Sequence, residues 1–209
     1  MSDLSAQSVS TWLKDFAEVI NEQANYLTDL DRQIGDADHG SNMSRGMSAV
    51  AALDPASFTD ASGMLKKAGM TLVSTVGGAS GPLYGTFFLR LGTTFISDGE
   101  LSAADLARGM KAGLDGIIAR GKASPGDKTL VDTLTPAVAA AQQAADEGRS
   151  LAEALQAASK AADQGRDSTV DMIAKRGRAS YLGERSKGHQ DPGATSMALL
   201  IDSAARCLA

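Results

Sequence analysis

Apolar positions recur along most of this chain at helical spacing. Val9, Trp12, Leu13, Phe16, Val19 and Ile20 fall at i, i+3, i+4, i+7, i+10 and i+11, one stripe of an α-helix. The pattern predicts a helix running to about Tyr26 or Leu27, then a polar loop, DLDRQIGDADHGSN. A short helix is expected over 43–53, ending at Asp54-Pro55 because the residue before proline disfavours the α conformation. A third covers 62–76, with Leu65, Leu72, Val73 and Val76 on one side, and the loop GGASGP follows it. The apolar run 83–96 reads as a buried helix, although a run of that kind also suits a strand. Ser102 with Asp105 resembles a capping box ahead of the stripe Leu106, Met110, Leu114, Ile117 and Ile118. After the loop GKASPGD, Leu130, Leu134, Val138 and Ala141 form another stripe, with Pro136 as a first-turn residue or a kink. Ser150 and Glu153 cap a helix through Ala162, and a helix over 194–208 is apolar nearly all round, so it should be interior. The count is about eight helices with no convincing alternating strand. The expected fold is all-α, a single domain over 1–209.

Composition supports this and narrows the function. Aromatic residues make up only 4% of 209 residues, and a core of Ala, Leu and Met suits closely packed helices. The single cysteine, Cys207, excludes an internal disulfide and agrees with a reducing, cytoplasmic setting. The segment MSDLSAQSVS lacks the basic-then-apolar pattern of a signal peptide. No apolar run reaches the ~18 residues of a membrane span. A net charge of −5 argues against a nucleic-acid partner, which needs a basic face.

The chemistry concentrates in the first polar loop. Asp31, Asp36 and Asp38 lie in the pattern Asp-x4-Asp-x-Asp. Three carboxylates this close repel one another and call for a compensating charge. Hard oxygen donors suit Mg²⁺ or Ca²⁺, and Mg²⁺ is typically held by one or two carboxylates together with substrate phosphates. Gly35 and Gly40 would let the backbone turn so that the carboxylates converge. The same aspartates also suit helix caps and turns, and spacing leaves both readings open. An EF-hand is excluded, because Ser41 and Met47 stand where its Gly and Glu belong if Asp36 is the first ligand.

Three further segments bear on this site. GGASGP could cradle an anion at a helix N-terminus, or serve only as a helix–helix turn; with no preceding strand it is not a Rossmann loop. GKASPGDKT misses the P-loop, since Asp127 stands where the lysine should follow Gly126. Lys175, Arg176, Arg178, Arg185 and Lys187 place five of the 20 basic residues within 175–187. Beside an acidic metal cluster, such a stretch suits polyphosphate binding; alone, it suits a solvated loop. His39 and His189, the only two histidines, sit in glycine-flanked loops beside aspartates and are candidate phosphate contacts.

LDRQIGDADHGSNM, GMTLVSTVGGASGPLYGTFF, GKASPGDKTLVDTL and KRGRASYLGERSKGHQDPGATS together resemble the signature segments of the L subunit of dihydroxyacetone kinase, over nearly the whole chain. The resemblance implies an antiparallel barrel of eight helices in which Asp31, Asp36 and Asp38 hold two Mg²⁺ on the diphosphate of ADP. It implies nucleotide contacts from His39, Gly40, Ser41, Asn42, Ala79, Ser80, Gly121, Leu130, Arg178, Asp191, Pro192 and Gly193. No protein nucleophile is implied, because the phosphoryl group is carried on the nucleotide. The implied partners are a K subunit, which holds dihydroxyacetone, and a phosphohistidine carrier, the M subunit, which recharges ADP in place. An ATP-dependent subunit acting on dihydroxyacetone or a related ketose, and a nucleotide-sensing partner of a regulator, are the alternatives. Homodimerisation is left open by the sequence.

Overall fold

A computed structural model describes residues 3–95 and 99–209. Eight α-helices are present among them: α1 (Ala6–Ile34), α2 (His39–Ala51), α3 (Ala61–Thr75), α4 (Ser80–Thr94), α5 (Ala103–Gly121), α6 (Leu130–Asp146), α7 (Leu151–Ser168) and α8 (Pro192–Cys207). Short 3-10 turns cover Pro55–Ser57, Thr169–Asp171 and Arg178–Ser186. The strand alternative for the run 83–96 is not adopted: it is helical through Thr94, while Ile96 lies outside the described residues. A two-residue antiparallel pair, β1 (Asp3–Leu4) with β2 (Gly99–Glu100), is too short to carry an alternating pattern.

The capping signals act as the sequence suggests. Ser102 accepts from the Asp105 amide and Ser150 from the Glu153 amide, and each acid returns a bond to the cap backbone. Ser5–Ser8 and Thr129–Asp132 form two more such boxes. Pro136 lies inside α6.

Each helix packs on its neighbours in sequence, and α8 returns to α1, closing an antiparallel barrel. The seam is built from specific bonds. Trp12 Nε1 donates to the Leu200 carbonyl (3.3 Å), Ser203 Oγ donates to Asp15, and Arg206 pairs with Asp15 at 2.6 Å. Phe16, Met43, Leu65, Tyr84, Phe88, Leu134 and Met197 are all but fully buried in the shared core. Helices α3 and α4 come closest where Gly69 meets Gly85: a Cβ on either would stand within 2.8 Å of the other's carbonyl oxygen. No helix among the described residues is long and apolar enough to cross a membrane.

Up-and-down winding puts the α1–α2, α3–α4, α5–α6 and α7–α8 connections at the same end of the barrel. These are the four glycine-rich or charged loops singled out by the sequence.

Candidate functional site

A cavity of about 570 Å³ opens at that end, its wall formed by those four connections and the helix ends beside them. Asp31, Asp36, Asp38, His39, Asn42, Ala79, Ser80, Gly121, Leu130, Arg178, Asp191, Pro192 and Gly193 all line it. Gly40 and Ser41 do not. Gly40 faces α1 instead, where a Cβ would stand 1.9 Å from the Ala24 carbonyl oxygen, and exposed Ser41 donates to the Asp38 carbonyl at 2.9 Å.

The acidic cluster is built differently from the loop the sequence suggested. Helix α1 runs on to Ile34, so Asp31 sits in its last turn, and α2 begins at His39 rather than near 43. A carboxylate at a helix C-terminus is unfavourable against the helix dipole. Here it is compensated by the start of α2: Asp31 Oδ2 accepts from the amides of Asp38 (2.8 Å) and His39 (3.1 Å). The turn between the two helices carries Ala37 at φ +61, a left-handed conformation that costs a non-glycine residue roughly 1–2 kcal/mol. One oxygen from each of Asp31, Asp36 and Asp38 lies within 4.8 Å of the others, a hard-donor set suited to magnesium. Asp31 is buried, while Asp36 and Asp38 face the opening. Arg178 Nε meets Asp36 Oδ2 at 2.7 Å, bringing the basic segment onto the acidic one across 142 residues of sequence (178 − 36).

Behind the cluster lies a buried polar chain. His39 Nδ1 is 3.2 Å from Ser80 Oγ, His39 Nε2 is 2.8 Å from Ser196 Oγ, and Ser196 Oγ is 2.7 Å from the Tyr84 hydroxyl. Burial pushes the His39 imidazole down to about 4 against the pull of Asp31 and Asp38, so the ring is neutral at pH 7. Burial also drives the Tyr84 phenol far up, which keeps its proton in place. Tyr84 and Ser196 lie within the quoted segments GMTLVSTVGGASGPLYGTFF and KRGRASYLGERSKGHQDPGATS, but nothing in the residue pattern singles either out as a partner of His39.

At the start of α8, the helix that carries Ser196, Asp191 is the N-cap and accepts from the Ala194 amide at 2.7 Å, with Pro192 in the first turn. Burial pushes its carboxyl up to about 7, although the Ala194 amide and Lys128 oppose the shift. The basic stretch divides. Arg176 and Arg178 line the cavity, and Arg176 pairs with Asp127 at 3.3 Å. Lys175, Arg185, Lys187 and His189 are not part of the wall. His189 Nδ1 instead meets Gln33 Oε1 at 2.6 Å. Lys128, from the near-miss P-loop, is 1% exposed and donates to main-chain carbonyls.

A closed helical barrel with an acidic, arginine-flanked cavity at one end defines the class. The DAK2 domain family profile matches residues 33–206, and the chain belongs to that family, among the ADP-binding subunits of dihydroxyacetone kinase. It is 47% identical over 199 residues, 95% of each chain, to the "PEP-dependent dihydroxyacetone kinase, ADP-binding subunit DhaL" of Escherichia coli (strain K12). It is also 47% identical to the "PEP-dependent dihydroxyacetone kinase 1, ADP-binding subunit DhaL" of Listeria innocua serovar 6a, over 91% of this chain and 90% of that one. Among solved structures, the dihydroxyacetone kinase of C. freundii superposes with a TM-score of 0.72 at 24% identity, covering 95% of this chain. The chain spans about a third of that protein, 34% of its length, and the likeness establishes the fold.

Proposed function

We propose that this chain is the nucleotide-binding subunit of a split dihydroxyacetone kinase. It holds ADP with two Mg²⁺, accepts a phosphoryl group from a phosphohistidine carrier, and passes it to dihydroxyacetone on a K subunit. The observation that carries this reading is the Asp31–Asp36–Asp38 cluster facing Arg178 at the mouth of a cavity large enough for a nucleotide. The relatives named as ADP-binding subunits, matched over nearly their whole length, support it.

The residues divide the work by chemistry. Asp31, Asp36 and Asp38 would hold the metal ions, which when bound neutralise phosphate charge and clamp its oxygens. Arg178 supplies a planar donor fork at the same place, suited to phosphate oxygens once it leaves Asp36. His39, neutral and fixed by Ser196, offers its Nδ1 edge beside Ser80. Gly40 and Ser41 lie at the N-terminus of α2, a position that suits an anion, and Asn42, whose amide closes that turn on the Asp38 carbonyl, lines the cavity with its side chain. Ala79, Gly121, Leu130, Pro192 and Gly193 give the apolar and close-packed wall that a base and ribose need. Phosphoryl transfer requires positioning and charge neutralisation, which this wall supplies without a protein nucleophile. A single domain over 1–209 and a cytoplasmic setting complete the reading.

Native mass spectrometry of the purified protein tests it. A retained mass of ADP with two Mg²⁺, and phosphoryl transfer to dihydroxyacetone only when carrier and K subunit are both added, are expected. An empty chain that turns over free ATP with a K subunit would overturn the carrier-dependent reading. No transfer with either donor would overturn the kinase reading.

A further inference from the structure

The segment that brings Arg176 and Arg178 to the cavity is irregular; its ends meet where the Gly188 amide donates to the Val170 carbonyl (2.7 Å) and the Asp191 amide to Thr169 Oγ1 (3.0 Å), and one buried side chain joins both ends from below. Lys128 Nζ donates to the main-chain carbonyls of Thr169 (2.5 Å), Met172 (3.2 Å) and His189. An ammonium has three N–H donors, and these carbonyls use all three. Two come from the start of the 169–190 segment and one from its end, so the ammonium ties the segment into a closed loop from inside. The neighbouring Asp127 holds the middle: its carbonyl accepts from the Lys175 amide at 3.0 Å, and its carboxylate meets Arg176. The backbone at Lys128 is left-handed, φ +62, a conformation an L-residue adopts only when its surroundings impose it. The ammonium is therefore committed to main-chain carbonyls, although Lys128 lines the wall and stands one residue past the place where a P-loop lysine would be sought.

We infer that Lys128 is a positioning residue: by gathering carbonyls from both ends of 169–190, its ammonium fixes where Arg178 stands relative to the Asp31–Asp36–Asp38 cluster. Removing the ammonium leaves the Met172 and His189 carbonyls without this donor and the Thr169 carbonyl with only the Met172 amide, so the base of the loop loosens around the remaining Gly188–Val170 bond. The ligand used in the test rests on the proposed nucleotide reading; the loop measurement does not.

The test uses the full chain as Lys128→Met, Lys128→Arg, Arg178→Ala and the double variant Lys128→Met/Arg178→Ala. Affinity for ADP with Mg²⁺ is measured by calorimetry, and amide exchange is followed along the chain. Lys128→Met is expected to lose exchange protection in 169–190, with the other helices unchanged, and to bind ADP about tenfold more weakly. Lys128→Arg keeps the charge in a planar fork that cannot serve three converging carbonyls, so it falls between Lys128→Met and wild type. The double variant should bind no more weakly than the poorer single variant, because the arginine acts only when held in place. Losses that add in the double variant would overturn the inference, as would wild-type exchange in 169–190 of Lys128→Met. If Lys128→Met does not fold, Lys128→Arg decides on the same two readouts. A wild-type chain that binds no ADP would refute the nucleotide reading alone, since exchange in 169–190 still reports on Lys128.

Discussion

A Cβ on Gly35 would lie 2.0 Å from Oδ1 of Asp31. The glycine that ends α1 therefore makes room for the carboxylate that starts the acidic cluster. Gly35→Ala should force that carboxylate away from the Asp38 and His39 amides. The expected cost is about 1–3 kcal/mol in thermal or urea unfolding, the penalty for unpairing buried polar groups. ADP affinity in the presence of Mg²⁺ should fall by at least about tenfold in the same variant, measured by calorimetry.

Asp36 is more exposed than Asp31, and its ion pair with Arg178 lies at the cavity mouth. Exposed pairs contribute at most about 1 kcal/mol. Asp36→Ala should keep a near-wild-type melting curve and yet retain no nucleotide in native mass spectrometry. Unaltered bound ADP and activity in that variant would remove Asp36 from the metal set.

Gly40 packs against α1, where a Cβ would meet the Ala24 carbonyl at 1.9 Å and Thr28 Oγ1 at 2.5 Å. Gly40→Ala should destabilise the fold by roughly 1–3 kcal/mol through overpacking. Ser41→Ala, which removes an exposed hydroxyl, should leave unfolding within about 0.5 kcal/mol of wild type. Equal stability of the two variants in denaturant titration would contradict the packing seen here.

Burial raises the Asp191 carboxyl from 3.8 to about 7 in the folded chain. Between those values the native state holds a proton that the unfolded state has released. The stability this group contributes is full below its unfolded value and is lost as pH rises through about 7. Asp191→Asn keeps an acceptor for the Ala194 amide and cannot titrate. As pH rises from about 4 to 7, the metal-free wild type should lose stability relative to Asp191→Asn, read from paired thermal melts. A constant difference would show that the carboxyl titrates normally.

The helices were legible because their apolar stripes repeat at 3.6 residues and their caps are local. Ser102–Asp105 and Ser150–Glu153 satisfy helix amides within three residues, so no distant contact is needed to place them. Helix α1 extends to Ile34, beyond the end its apolar stripe predicts, for a physical reason. Its last turn is polar, and the remaining stripe of Leu27, Leu30 and Ile34 is interrupted by aspartates that would weaken an isolated helix. What extends it is tertiary: Asp31 is compensated by amides of α2, and Ile34 packs with Ala174 and Ala179.

By itself the sequence determined an all-helical chain, an acidic cluster, three glycine-bearing loops and a basic stretch, and their order identified the family. It could not say that Lys128 is committed to main-chain carbonyls, that Gly40 is a packing residue, or that only two of five clustered cations reach the wall. Those depend on which loops share an end of the barrel and on which main-chain groups need partners there. Only the closed up-and-down winding decides both, by bringing Arg178 to Asp36 and three distant carbonyls to one ammonium.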